Sequence, residues 1–586
     1  MFNKNALESM ETLLFRDLSA FLPELLLCAG IVSMLLLRLL PRSRGHMGSV
    51  ALIVTALGFV AAFLTAGADD GWFSGVPMMK EFGMPLLQSR ENVFGRMLVI
   101  DHLTNYVRLV LFGFGVLVTW LTVLTGIPDA EDSADFYTLL LGGLLGMSLM
   151  ASTNHLLMVF IAVEMASLPS YALAGFLKGR RQSSEAALKY VVYGGGASGV
   201  MLYGISLIAG RFGTGHLPQV AEAVRAQLAA GGLFSAENVS LILGFVFLLI
   251  GLAFKLSAVP FHFWCPDVFE GASAEIGAFL SVASKAAAMA LTGRLLLMLT
   301  VGDGATLTAV PKAFAPTIAF FAALTATFGN LAAYSQTNLK RLLAYSTIAH
   351  AGYMMMGLAP MTRDGLSAVL FYLASYVFMN LGAFAIIALL RNQTGSEDLG
   401  SFRGLIYRSP LLVCLLAVFL LSLLGLPPLV GFAAKFQVFS ALFHAGQDYA
   451  GSSPTLSYTM YALLVIGGVN TVFSVFYYLK VLKVMILDKP VEELEGQPAA
   501  PIRLSPAAVV YTMLLGLMIF VGGLAWNPLA AASDQGTRDF KPVTGGAPVV
   551  NTPAPGAAGA GGPAPKGGAP KGGAPKGGGK GGKQKG

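Results

Sequence analysis

Five ionisable residues stand inside long apolar runs of this 586-residue chain: Glu164, Lys189, Lys255, Lys285 and Lys435. Glu164 follows Phe160-Ile161-Ala162-Val163, midway along its run. Lys285 sits in Ser281-Val282-Ala283-Ser284-Lys285-Ala286, among small residues that permit close helix approach. Lys255 and Lys435 adjoin proline-bearing interruptions, Val259-Pro260 and Pro427-Pro428, where freed carbonyls and water can solvate an ammonium. A charge in mid-membrane costs roughly 2.5–3.5 kcal/mol on insertion scales, so five unpaired ones would cost on the order of 10 kcal/mol, as much as a domain's whole stability. The chemistry that suits such residues is proton handling. Burial disfavours the ammonium form and a nearby carboxylate restores it, so a buried lysine whose carboxylate partner moves takes up and releases a proton without any cofactor. His155, His262 and His350 lie at or near helix ends, and histidine changes charge close to neutral pH. His262 and His350 are supporting candidates, with a hydrogen-bonded structural role equally open for His155 and His350. Lys189 lies only a few residues inside its run, where snorkelling to the interface is the alternative.

Other charges suggest no relay. Arg108 and Arg294 are expected to pair or snorkel, and Glu24, just after Pro23, suits the N-terminal dipole of the first span. Cys28, Cys265 and Cys414 are odd in number, far apart and without metal-ligand spacing. The chain carries no Gly-rich phosphate loop, dinucleotide fingerprint, haem motif or cluster motif. Energy is therefore expected from an ion gradient or a partner. The net charge of +7 includes six lysines between Lys566 and Lys585, so the rest of the chain is nearly neutral and nucleic acid is not an expected partner.

These side chains need helices to hold them in lipid. At 55% hydrophobic and 12% charged, the composition lies far from the soluble average of roughly 25% charged. The apolar runs have the length, about 18–25 residues, that crosses about 30 Å of hydrocarbon. Hydropathy predicts about fourteen transmembrane helices, at 21–40, 48–66, 98–124, 136–152, 154–177, 186–210, 240–259, 274–300, 314–334, 341–359, 365–390, 410–444, 458–487 and 505–526. The expected fold class is all-α and polytopic. The seventh and twelfth spans should be broken at their prolines, and interrupted helices in corresponding positions of two halves point to a transporter built from inverted repeats. The predicted organisation is 1–130 for helices 1–3, 131–300 for a first antiporter-like repeat of helices 4–8, 301–490 for a second of helices 9–13, 491–530 for helix 14, and 531–586 for a tail. That tail becomes Gly, Ala, Pro and Lys from about Gly545 and is expected to be disordered. Lys and Arg gather in the loops on one side, including Arg38, Arg181, Arg341, Arg391, Lys483 and Lys489, which predicts that side to be cytoplasmic and both termini periplasmic. The N-terminus lacks the basic start and cleavage site of a signal peptide, so the first helix is expected to be retained.

Three stretches carry a resemblance. Phe254-Lys255-Leu256-Ser257-Ala258-Val259-Pro260-Phe261-His262-Phe263-Trp264-Cys265-Pro266-Asp267-Val268-Phe269-Glu270-Gly271-Ala272, Arg341 through Tyr353, and Gly425-Leu426-Pro427-Pro428-Leu429-Val430-Gly431-Phe432-Ala433-Ala434-Lys435-Phe436 are similar to the signatures of the N-type membrane subunit of respiratory complex I. The resemblance runs from about residue 15 to 526 and leaves out the tail. It implies a proton-translocating role for Glu164, Lys189, Lys255, Lys285 and Lys435. Lysine in the second broken helix favours the N type over its M-type sister. It also implies that this chain holds no cofactor, with NADH, FMN, iron–sulfur clusters and quinone in other subunits. The implied partners are neighbouring antiporter-like and small membrane subunits and the lipid bilayer of a bacterial inner membrane. One departure stands out: Ser273-Ala274-Glu275 replaces the proline and small residue that usually follow Gly271-Ala272, adding an acid before Lys285. Two alternatives stay open, a subunit of a multi-subunit cation/proton antiporter and a non-pumping membrane scaffold.

Overall fold

The computed structural model describes residues 4–39, 45–67, 90–129, 131–230, 238–300, 306–490, 502 and 504–540. The predicted tail beyond 540, and Arg42, Arg44 and Arg503 among the loop cations, lie outside the described residues. The described chain is helical apart from one hairpin, β1 (Arg90–Val93) and β2 (Leu98–Asp101), paired antiparallel with Arg90 opposite Asp101. Its helices are α1 (Lys4–Ala20), α2 (Leu22–Leu37), α3 (Met47–Gly67), α4 (His102–Thr125), α5 (Ser133–Ser152), α6 (Leu156–Ala174), α7 (Arg181–Phe212), α8 (Leu217–Ala229), α9 (Val239–Leu256), α10 (Trp264–Gly271), α11 (Ala274–Thr300), α12 (Thr306–Ala333), α13 (Leu339–Leu358), α14 (Arg363–Thr394), α15 (Pro410–Leu424), α16 (Val430–Ala450), α17 (Pro454–Ile486), α18 (Pro506–Leu524) and α19 (Asn527–Gln535). Eleven of these are long and apolar enough to cross a membrane, or twelve if α1 and α2, bent by 79° at Phe21, form one span.

The third predicted span begins four residues too early, because Leu98–Asp101 is strand and Asp101 caps α4 by accepting from the Thr104 amide at 2.9 Å. An N-cap carboxylate satisfies an orphan amide and fixes where the helix begins.

The helices sort into a buried centre and an exposed perimeter. In α11 and α14, 94% of the most apolar window is buried, against 33% in α3, α7, α17 and α18. A helix apolar on every side belongs in a core, and Ala286, Ala287, Ala288 and Ala290 let neighbouring helices approach α11 closely.

The two predicted breaks are present and share one local chemistry. After α9, Ser257 turns left-handed at φ 59° and the Ala258 amide reaches back to the Ala253 carbonyl at 2.8 Å. After α15, Gly425 turns left-handed at φ 93° and the Leu426 amide reaches back to the Leu421 carbonyl at 3.1 Å. Both are Schellman closures, which satisfy the last carbonyls of a helix. The chain resumes as α10 and α16.

Candidate functional site

The two breaks and the helices between them carry a buried line of ionisable groups. Glu164 faces inward from α6 with its Oε1 buried and unpartnered, and it acts electrostatically on Lys255. Ser167, one turn further along α6, accepts a hydrogen bond from Lys255 Nζ at 3.1 Å. Lys255 itself is buried in the last turn of α9. Lys285 Nζ, on the central α11, reaches the Ser257 hydroxyl at 3.4 Å and lies 5.9 Å from the Trp264 ring and 6.0 Å from the Phe269 ring. The break thus touches both lysines, Lys255 through the backbone before it and Lys285 through the side chain at its left-handed residue.

A second buried cluster is built from aromatic hydroxyls around His350. Tyr376 on α14 donates to Thr347 Oγ1 at 3.1 Å. His350 Nδ1 meets the Tyr372 hydroxyl at 2.7 Å and its Nε2 meets the Tyr478 hydroxyl at 3.2 Å. Tyr478 also shares a 2.5 Å hydrogen bond with Ser346. Lys435 lies on the far side, its Nζ 4.6 Å from the centre of the Tyr353 ring and 2.9 Å from the Leu424 carbonyl freed at the second break. A fully hydrogen-bonded histidine between two tyrosines can receive a proton on one ring nitrogen as it releases one from the other.

The remaining candidates fall off this line. Lys189 is 36% exposed and pairs with Asp267 at 2.7 Å and Glu185 at 2.8 Å rather than with Glu164. Asp267 also accepts from Arg341, which holds Glu270 as well, so the start of α10 is tied to α7 and α13 by charge. His262 is buried between the rings of Phe263 and Phe328, each centred 4.5 Å away. His155 caps α6 by accepting from the Leu157 amide. Arg108 and Arg294, expected to pair or snorkel, pair with Glu24 and Asp101 respectively, so Glu24 holds a buried guanidinium.

Sequence reasoning missed Ser167, Ser257, Tyr353, Tyr372, Tyr376 and Tyr478. A signal existed for two pairs: Ser167 lies three residues after Glu164 and Tyr376 four after Tyr372, spacings that share a helix face.

Residues 153–457 match the family described as NADH:quinone oxidoreductase/Mrp antiporter, TM, an interval that contains all five candidate residues. NADH-quinone oxidoreductase subunit N of Anaeromyxobacter sp. (strain Fw109-5) is 39% identical over 77% of this chain and 86% of its own length. Subunit N 2 of Sorangium cellulosum (strain So ce56) is 37% identical over 88% of this chain and 96% of its own. This chain belongs to the subunit N family of NADH-quinone oxidoreductase. A solved chain of respiratory complex I from Thermus thermophilus with bound aureothin is 31% identical, with a TM-score of 0.65 over 86% of this chain and 97% of that one. A chain of the Mrp complex from Dietzia sp. DQ12-45-1b is 20% identical with a TM-score of 0.73, over 89% of this chain and 97% of that one, and shares the fold. The chain is thus a multi-pass membrane protein of that family. Among the described residues, no group of three or more His, Cys, Asp or Glu is arranged to hold a metal ion.

Proposed function

We propose that this chain is the proton-translocating subunit N of an NADH-quinone oxidoreductase, coupling electron transfer in other subunits to proton movement through its own buried groups. The observation that carries this reading is the set of ionisable groups, Glu164, Lys255, Lys285, His350 and Lys435, that the two breaks and the helices around them hold inside an apolar membrane domain. NADH, FMN, iron–sulfur clusters and quinone belong to the partner subunits, and neighbouring membrane subunits adjoin it in the bilayer. The chain makes about fourteen passes through a bacterial inner membrane with both termini periplasmic, counting with the long apolar helices the shorter and broken ones. Residues 1–130 hold the first three transmembrane helices, 131–300 and 301–490 the two repeats, and 491–530 the last transmembrane helix, with α19 following it.

In the mechanism, Lys189 alternates between Asp267 and Glu164. While Lys189 is held by Asp267, the Glu164 carboxylate supports the charge on Lys255. When Lys189 swings to Glu164, that support is withdrawn and Lys255 passes its proton toward Lys285, and from there through His350 and its tyrosines to Lys435.

The test uses membranes with matched content of the assembled complex. Lys255→Ala removes the carrier, and Lys255→Arg keeps a charge that guanidinium never gives up. Both should lower NADH-driven proton uptake, and the quinone reduction coupled to it, by about tenfold or more. Glu164→Gln should do the same. Normal pumping by Lys255→Arg and Glu164→Gln overturns the proposal, and sodium-dependent transport without NADH favours a cation/proton antiporter instead.

A further inference from the structure

Among the described residues, Glu275 is the buried carboxyl with neither oxygen hydrogen-bonded, and it is 0% exposed. It stands in the first turn of α11, one turn after Ala272. The Ala272 carbonyl accepts from Lys340 Nζ at 2.6 Å, and the same ammonium holds Glu397 Oε2 at 2.8 Å. Lys340 and Glu275 lie within electrostatic reach of one another. Glu397 is 13% exposed, so the cluster opens toward solvent on that side. The other groups facing it are Arg391 at the end of α14, 4.0 Å from Glu397 Oε1, and the Tyr137 phenol of α5, which Thr122 of α4 holds at 3.2 Å.

A buried carboxyl with neither oxygen hydrogen-bonded calls for a donor that can turn onto it. The lysine beside it already spans from the surface acid to the backbone of the same turn. The geometry points to Glu275 as a further proton carrier of this subunit, loaded from Glu397 through Lys340 at the Lys/Arg-rich end of the molecule. Lys340 turns its ammonium from Glu397 to Glu275; an N–H bond breaks, an O–H bond forms on Glu275, and the electron pair stays on the amine. The neutral amine turns back and takes a proton from the Glu397 carboxyl, which water reloads. No oxidant, reductant or cofactor enters the step. Glu275 lies ten residues before Lys285 on one continuous helix, so the proton arrives about 15 Å along α11 from the central lysine.

This inference rests on the proton-translocating reading, and its test separates the two. The assembled complex carrying Glu275→Gln, Glu275→Asp or, as reference, Lys255→Ala is measured in membranes at matched content, for NADH-driven proton uptake and by infrared difference spectroscopy of carboxyl bands. Glu275→Gln should lower proton uptake by about tenfold, and Glu275→Asp should recover most of it. The carbonyl band of a buried carboxyl changing protonation should vanish in Glu275→Gln and shift in Glu275→Asp. If Glu275→Gln fails to assemble, the rate and the band of Glu275→Asp decide. Wild-type uptake and an unchanged band in the Glu275 variants, with Lys255→Ala inactive, overturn the inference alone. Normal uptake by Lys255→Ala overturns the underlying reading.

Discussion

Arg108 and Lys189 both meet carboxylates, yet the two pairs differ in what they hold. Arg108 and Glu24 are 0% exposed and joined at 2.7 and 2.8 Å, and Ser148 and the Ala20 carbonyl take up further bonding sites. Breaking a buried pair from one side leaves an uncompensated charge, at a cost of about 3–5 kcal/mol. Lys189 and Asp267 are about a third exposed, the setting in which an ion pair contributes about 0.2–1 kcal/mol. Glu24→Gln should therefore lower the amount of assembled complex sharply, and adding Arg108→Met should restore much of it. Asp267→Asn should leave assembly intact. Thermal unfolding of the purified complex provides the measurement, and equal losses from Glu24→Gln and Asp267→Asn would contradict the assignment. A weak pair at Lys189 is what the proposed switch between Asp267 and Glu164 requires. At this scale the sequence was informative about charges in apolar runs, because each is conspicuous against its neighbours. It was silent about partners: Asp267 lies 78 residues from Lys189, and only the turn after Ser257 brings α10 back against α7. Serines and tyrosines are ordinary in such runs, so the hydroxyls of the site offered no signal beyond the helical spacing of Ser167 from Glu164 and of Tyr376 from Tyr372.

The helix breaks are set by small residues as much as by proline. Gly425 combines φ 93° with a neighbour, Lys435 Cδ, that an added Cβ would meet at 3.0 Å. A left-handed backbone costs a non-glycine residue about 1–2 kcal/mol, and displacing Lys435 adds to that. A Cβ on Gly431 would run into the Ser422 carbonyl. Gly425→Ala should lower proton uptake by pushing Lys435 from the Leu424 carbonyl, and Gly431→Ala should cost assembly by forcing α15 and α16 apart. Gly400→Ala, where an added Cβ meets nothing within 4 Å, is the control and should match the wild type in both assays. Prolines in apolar runs made the existence of both breaks legible. Their ends were not, since the closing residues are Ser257 and Gly425 and only backbone geometry tells which residue turns left-handed. The amphipathic helices α8 and α19 went unpredicted because neither is long or apolar enough to rise above the loops around it.

Across the whole molecule, the last described segment fastens the far end of the chain to its middle. Asp534 accepts from Ser367, Thr537 from Arg363 at 3.0 Å and Asp539 from the His102 amide at 2.9 Å, while Phe540 is buried against Arg294. Stopping the chain after Leu524 removes these contacts, on the order of 3–5 kcal/mol of polar and apolar packing, and should reduce assembled complex. Stopping it after residue 545 should leave both assembly and proton pumping unchanged; native electrophoresis of the complex distinguishes the two. The charge asymmetry of the loops makes a separate prediction: Arg181→Cys and Lys489→Cys should resist a membrane-impermeant thiol reagent applied outside intact cells. Ready labelling of both inverts the orientation. Hydropathy recovered the membrane class and most of the helices, but it weighs α11 like any other span, because it measures how apolar a segment is and not what covers it. The burial of α11 on every side has a further consequence. None of its faces is free to drift against lipid, so a change of volume at Ala287 or Gly277 has to be answered on a neighbour, as Phe384 of α14 answers Gly277 across a gap of 2.9 Å from where a methyl would stand. Through evolution this helix should vary in matched pairs with the helices around it, while the perimeter helices vary one position at a time.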